Sequence, residues 1–368
     1  MTWNWQQRNW PQFVYNAEDF REQEQQFFEK AGMIHGSFQH IEAGDQEDLR
    51  IDLFSQEAVK TSEIEGEILN RDSIHSSIRK QLGLQTDHRR IKPAEQGIAE
   101  MMVDLYRNYE VPLTREILFS WHEMLMNGRR DLLDIGRYRR HEDPMQIVSG
   151  HIGKPKIHFE APPSKQVMEE MKSFLAWFNH SIKGGKNELP VLIRAAIAHL
   201  YFESIHPFED GNGRLGRAIS EKSLSQSLGR PTLIALSHTI QEHKKSYYEA
   251  LESNNKDLDI GDWISYFCQI VLNAQDYTQS TISFIIEKGK FYKRFEKQLN
   301  ERQLKVVGRI FREGFGGFKG GMSAKNYQTI SGAPSATATR DLTKMVEIGA
   351  LRRVGELKST RYFLNIQG

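Results

Sequence analysis

The strongest constraint on this chain is a helix that has to end at a polar loop. PVLIRAAIAHLYFESI, Pro190 to Ile205, carries apolar residues at helical spacing around an alanine-rich centre. HPFEDGNGRLGR, His206 to Arg217, follows without a gap and gathers a histidine, acids, glycines and arginines. A second helix is expected from near Arg214 to Leu228, so the unit is helix, loop, helix. Within it GNGRLG fits the dinucleotide fingerprint G-x-G-x-x-G. That fingerprint has to leave a strand and open a helix inside a βαβ unit. A helix precedes it here, and the dinucleotide reading fails.

The same context suits a phosphate. Gly211, Asn212 and Gly213 can turn successive amides toward one anion, and the following helix adds its partial positive end. Arg214 and Arg217 share one side of that helix and can hold outer phosphates. Asp210 is placed to bind a hard cation between phosphate oxygens. His206, at the other end of the loop, can take a proton from an incoming hydroxyl. Together these residues describe attack on a nucleotide phosphate. The plainer alternative is a polar loop whose arginines pair with Glu209 and Asp210; it accounts for each residue singly but not for the set.

HPFEDGNGRLGR resembles the signature of the Fic family, His-Pro-Phe-x-Asp/Glu-Gly-Asn-Gly-Arg-x-x-Arg, at every fixed position. The resemblance covers roughly residues 91–285 and implies transfer of AMP from ATP to a Ser, Thr or Tyr hydroxyl of a protein target, with Mg2+ and release of pyrophosphate. It implies His206 as general base and Asp210 as the Mg2+ ligand. The amides of Gly211, Asn212 and Gly213 become the anion hole, with Arg214 and Arg217 on the phosphates. KPKIHFEAPP resembles the family's flap, a hairpin that holds the target peptide by strand addition. Ile157, His158, Phe159 and Glu160 would then lie over the nucleotide. SYYEALESNNKD resembles the segment closing the adenine pocket, which puts Tyr247 and Asn255 near the base; a core aromatic is the alternative for Tyr247.

TSEIEGEIL, Thr61 to Leu69, resembles the family's inhibitory motif, Ser/Thr-x-x-x-Glu-Gly/Asn. The ordinary reading of such a glutamate is a solvated helix face. Beside a complete signature it implies that Glu65 pairs with Arg217, withholding that arginine from the γ-phosphate. Thr61, one turn earlier, would help anchor the helix. The resemblance also leaves open that the site removes AMP, with the glutamate orienting a water.

Around this centre, helical periodicity is common and strand-like runs are scarce, so the fold class is mainly α. We expect an N-terminal helical region over 1–90 holding the motif at 61–66, a Fic-type helical core with a β-hairpin flap over 91–290, and a winged-helix-like module over 300–368. The first forty residues are dense in aromatics (Trp3, Trp5, Trp10, Phe13, Tyr15), read as a small strand pair and a helix, with Gly32 and Gly36 as interruptions. Residues 301–368 outline three short helices and a hairpin with twelve Lys/Arg against five Asp/Glu, a charge of +7. The whole chain carries +1, so the remainder carries −6. Arg340 and Lys344 on the third helix, and Arg352, Arg353, Lys358 and Arg361 on the hairpin, give an alternative function, a DNA-binding regulator. Docking of the protein target is the other use of that module.

The lone Cys268 lies in an apolar helical run and reads as an inert buried thiol. His122, His141, His151 and His199 lack zinc spacing and read as surface or hydrogen-bonded core residues. No secretory leader and no membrane span is visible, which places the protein in the cytoplasm as a soluble enzyme. ATP and an unidentified protein are its expected partners; self-modification, a homodimer and DNA contact through 300–368 stay open.

Overall fold

In the computed structural model, which describes residues 2–41, 43–86, 89–151, 154–313, 318 and 320–366, helices carry nearly all the regular structure. Two single 3-10 turns, Asn4–Gln6 and Ala17–Phe20, lead into α1 (Arg21–Gln39) and α2 (Ala43–Ile64). There follow α3 (Arg71–Gln81), α4 (Pro93–Arg107), α5 (Arg115–Leu125), and a hairpin of β1 (Gln146–His151) and β2 (Lys154–Glu160). The run continues with α6 (Ser164–His180), α7 (Val191–Ile205), α8 (Asn212–Leu228), α9 (Leu236–Glu242), α10 (Lys244–Asn254) and α11 (Gly261–Phe295). The C-terminal elements are α12 (Glu301–Arg312), α13 (Ala324–Ser331), α14 (Ser335–Glu347), β3 (Leu351–Val354) and β4 (Arg361–Leu364). Among the described residues no helix is long and apolar enough to cross a membrane.

Local chemistry accounts for the boundaries that matter. Asn70 and Thr114 cap α3 and α5 by accepting the Ser73 and Ile117 amides. Helix α2 closes where Gly66 takes a φ of +84°, a value that suits glycine and ends the helix in a tight turn. Helix α7 is apolar all round, and every residue but Glu203 is buried, so it forms the centre of its core rather than a face. Helix α8 packs along it and is itself buried from Asn212 to Ser225 save for Gly213.

The chain divides into two compact units, residues 1–33 with 43–277 and residues 34–42 with 278–368. The expected boundary near residue 90 is not one of these divisions. Side chains of α2 and α3 such as Ile51, Phe54, Ile74 and Ile78 share one core with Met102, Phe178, Phe202 and Ile219. The N-terminal expectation also changes: Trp3 precedes and Trp5 lies within a 3-10 turn rather than a strand, and α1 runs through Gly32 and Gly36, which have open space around them. The second unit has a separate core, Val306, Ile310, Tyr327, Leu342, Met345 and Leu351 among its members.

Candidate active site

The site starts at the C-terminal end of α7. His206 ends the helix in the left-handed region, φ 49°, while its N–H still bonds the Phe202 carbonyl at 3.0 Å. A non-glycine residue rarely sits there, and the surroundings hold it in place. Arg139, buried, donates from Nε to the His206 carbonyl (2.8 Å) and from Nη2 to the Pro162 carbonyl (2.6 Å). Its own amide bonds the Pro207 carbonyl at 3.0 Å. The imidazole is thereby aimed, with only 12% of the side chain exposed. Burial, and then the nearby Arg139 charge, depress its pKa to about 4. It is a neutral base at ordinary pH.

The loop after His206 is closed by its own side chains. Asn212 accepts the Phe208 amide (2.9 Å) and donates to the Phe208 carbonyl (2.8 Å). Gly211 has φ +83°, and a Cβ there would stand 2.7 Å from Met126 Cε. His122 stacks on Phe208 with ring centres 4.2 Å apart. Its Nδ1 accepts the Gly136 amide, which leaves Nε2 to donate to the Asp210 carbonyl at 3.1 Å. Burial depresses its pKa to about 4, in keeping with that neutral form. Glu209 accepts the amides of Leu133 and Asp134 instead of pairing with the arginines.

Helix α8 begins at Asn212, two residues before the expected start, so the first-turn amides of Asn212, Gly213 and Arg214 have no carbonyl one turn back. Free first-turn amides of this kind can receive an anion. The site faces a carboxylate of the same chain. Arg217 donates from Nε to Thr61 Oγ1 (2.7 Å), and from Nη2 to the Thr61 carbonyl (2.9 Å) and Glu65 Oε1 (2.7 Å). A Cβ on Gly213 would overlap Glu65 Oε1, so glycine is what lets the carboxylate approach the helix. Burial works against the Arg217 charge, but Glu65, Tyr247 and Glu203 together hold its pKa above the ordinary value. Arg214 binds Glu67 at 2.7 Å.

Asp210 lies beside Arg129 (2.6 Å) and 3.6 Å from Arg214, with its Oδ1 accepting the Gly211 amide. Burial opposes ionisation, yet these partners hold its pKa below the usual carboxylate value. Among the described residues no three His, Cys, Asp or Glu side chains cluster as a metal cage. One ionised carboxylate beside a phosphate site fits Mg2+, which completes its shell with phosphate oxygens and water.

The flap residues separate. A register shift between Ile147 and Val148 sets Phe159 opposite Ile147 but Ile157 opposite Val148, a bulge that re-aims the strand. Ile157 is exposed, whereas Phe159 is buried against Trp3 with ring centres 5.4 Å apart. Phe159 therefore anchors the flap instead of lying over a nucleotide. Glu160 accepts from Trp5 Nε1 through its carbonyl (2.7 Å), and His158 bonds Glu252 at 2.7 Å and Ser149 at 2.6 Å. Asn255 is buried and donates to the His158 carbonyl at 3.2 Å. Tyr247 also differs from the nucleotide reading: it is 2% exposed, and its hydroxyl is 2.7 Å from His199 Nε2 in a layer with Trp263. Its neighbour Tyr248 is the exposed ring of α10.

Several residues that shape the site had no signal in the reading of the sequence: Glu67, Arg129, Arg139 and Asn4, whose side chain donates to Ser204 Oγ at 2.8 Å. Glu203 had one. It is the only acid on the apolar α7, one turn before His206, and its Oε2 lies 3.7 Å from His206 Nδ1. Burial, and then the Glu65 charge, raise its pKa to about 8. His206 Nδ1, Glu203 Oε1, Arg214 Nε and Arg217 Nη1 are buried without a hydrogen-bond partner among the described residues.

Fold and site together set a histidine at the end of α7 and, across the loop at the head of α8, a carboxylate of the same chain paired with Arg217. Residues 112–224 match the Fic/DOC family, and residues 3–84 match a domain of unknown function, DUF4172. Residues 112–224 thus carry a Fic/DOC-type domain. It is 28% identical over 128 residues to protein adenylyltransferase fic-1 of Caenorhabditis elegans, covering 35% of this chain and 22% of that protein. It is 27% identical over 171 residues to protein adenylyltransferase Fic of Nematostella vectensis, covering 46% of this chain and 35% of that one. This chain thus spans about a third or less of the length of these relatives. A crystal structure of a Fic family protein from Desulfovibrio desulfuricans G20 has the same fold, with TM-score 0.52 and 20% identity over 97% of this chain and 99% of that one. A Fic domain containing signaling protein from Bacteroides thetaiotaomicron VPI-5482 matches with TM-score 0.52 and 19% identity over 71% and 97%.

Proposed function

We propose that the protein is a protein adenylyltransferase, moving AMP from ATP to a hydroxyl of a protein target, held in check by Glu65. The observation that carries this reading is the capture of Arg217 by Thr61 and Glu65 at the head of α8. ATP binds with its phosphates at the first turn of α8, where Arg214 and Arg217 hold them. Asp210 would hold Mg2+ here, and the ion would supply charge neutralisation at the phosphates. His206 Nε2 takes the proton of the acceptor hydroxyl while that oxygen attacks the α-phosphorus. The bond to the bridging oxygen breaks and pyrophosphate leaves. The exposed edge of the flap aligns the acceptor segment.

In the resting protein the Glu65 carboxylate occupies the place of an outer phosphate oxygen, so ATP cannot settle with its α-phosphate in line with the acceptor. Glu65→Gly frees Arg217, and labelling of the protein itself or of lysate proteins by radiolabelled ATP should rise at least ~10-fold, about 1.4 kcal/mol of barrier. Adding Arg217→Ala should remove most of the gain. A Glu65→Gly protein no faster than wild type overturns the inhibitory reading, and a His206→Ala protein that still transfers overturns the mechanism. The Glu65 carboxylate so close to the anion site also favours a second reading, removal of AMP by a water that Glu65 orients. It predicts release of AMP from a modified target by wild type and not by Glu65→Gly.

A further inference from the structure

The second unit has a surface that the transfer reaction does not use. Helices α13 and α14 are joined by Gly332, Ala333 and Pro334, with Gly332 at φ +72° ending α13, the tight turn of a helix-turn-helix. The antiparallel pair β3 and β4 follows, and Met322 bridges to Tyr362 beside it. Helix α14 is sharply two-sided. Ala338, Asp341, Leu342 and Met345 face inward. Ser335, Ala336, Thr339, Arg340, Thr343 and Lys344 form the exposed stripe at helical spacing, which one acid, Glu347, closes at its C-terminal end. Asp341 fixes the inner face: it accepts from the Tyr327 hydroxyl (2.9 Å) and from Arg302 Nε (3.3 Å). The outer stripe is therefore held on a rigid support rather than on a loop.

We propose that this stripe of α14, with Arg352 and Arg353 of β3, binds double-stranded DNA. Three observations select that partner. First, charge: residues 301–368 carry +7 in a chain of +1, and once the Arg302–Asp341 and Arg309–Glu313 pairs cancel, ten Lys/Arg stand against three Asp/Glu. Second, side-chain type: the stripe offers short hydroxyls between an arginine and a lysine, the donors that read base edges and phosphates. It has no large apolar side chain of the kind that anchors a protein interface. The exposed apolar residues of this unit, Val354 and Leu357, lie on the hairpin instead. Third, arrangement: a single helix presented by a short turn suits the width of the major groove, and the exposed Arg352, stacked 4.6 Å over Phe363, and Arg353 stand where a wing meets the backbone. The Lys358 side chain lies outside the described residues.

Fluorescence anisotropy of the full chain with a labelled duplex of ~20 base pairs of arbitrary sequence tests this. Binding should be in the ~1–100 μM range near physiological salt and should weaken steeply between ~50 and ~200 mM salt. Arg340→Glu with Lys344→Glu should raise Kd at least ~10-fold and flatten the log–log salt slope by about two. The same charge change at Lys183 and Lys186, exposed on the loop after α6, should alter Kd less than ~2-fold, since only local phosphate contacts count. Arg340→Gln with Lys344→Gln should fall between, which guards against misfolding of the reversed pair. Absence of salt-dependent binding, equal loss in the Lys183/Lys186 control, or tighter binding of single-stranded RNA or of an acidic peptide than of the duplex each overturns the proposal. None of these outcomes depends on AMP transfer.

Discussion

At the scale of single residues, His206 and Glu203 form a pair whose two members are shifted in opposite directions. His206 is pushed down to about 4, so its base form persists far below neutral. In a Glu65→Gly protein the ascending limb of kcat/KM should fall below pH ~5, not near the ordinary imidazole value of ~6.5. A limb at the ordinary value would mean that burial and Arg139 do not control this histidine. Glu203 stands 3.7 Å from Nδ1, just beyond hydrogen-bond reach, and would position the base only by closing that gap when substrate binds. If Glu203 closes on Nδ1 in the reacting complex, Glu203→Gln in the same background should lower kcat ~10-fold or more and leave the KM for ATP within ~2-fold, since it faces the base and not the donor. Equal loss in kcat and in ATP affinity would assign Glu203 to general packing. Most of this site was legible because His206 to Arg217 are contiguous, and one helix–loop–helix places them together. Glu67, Arg129 and Arg139 were not, because tertiary packing alone brings them to the loop from other elements.

At the scale of elements, the flap depends on the first residues of the chain. Trp3 packs on Phe159, Trp5 bonds the Glu160 carbonyl, and the Asn4 amide bonds the Asn255 carbonyl at 2.9 Å. Trp3→Ala with Trp5→Phe should raise hydrogen exchange at residues 156–160 and slow modification of a protein target, with ATP binding little changed. Protection of β2 equal to wild type would show that the hairpin holds itself. Ile157→Asp should slow target modification without that increase in exchange, because Ile157 is exposed and Phe159 is the anchor. The long amphipathic and buried helices were legible from periodicity. The N-terminal segment was not: its aromatics suggest strands by propensity, but they fill the gap between the flap and the end of α7, so tertiary packing overrides local preference. The same cause moved Tyr247, whose hydroxyl is satisfied by His199 inside the core.

At the scale of the whole molecule, the titrating groups buried around α7 and α8 set how stability follows pH. Burial lowers His122, His199 and His206 to about 4, 3 and 4. The unfolded chain therefore binds more protons at these sites below pH ~6.5, and their contribution to stability is lost progressively as pH falls from that value to the folded values. Carboxyls run the other way. Burial raises Glu57 to about 7 and, with Glu65, raises Glu203 to about 8; burial and Glu57 raise Glu221. For these the folded chain holds the extra protons above pH ~4.3, so stability falls as pH rises, until each group ionises in the folded state too. Between about pH 4.5 and 6.5 the two sets oppose each other; above ~6.5 the carboxyls act alone until Lys222 of α8, whose pKa burial lowers to about 8, begins to oppose them near pH ~7.5. All six tryptophans lie within residues 1–277, so their fluorescence follows the unfolding of that unit alone. The tryptophan melting temperature should change little from pH ~5 to ~6.5 and then fall toward pH ~7.5, by about 2–4 °C for each kcal/mol lost. Glu57→Gln with Glu203→Gln should flatten the fall, because neither amide has a proton to lose. A melting temperature that climbs steadily to pH ~7.5 would mean that these carboxyls are ionised in the folded protein at neutral pH.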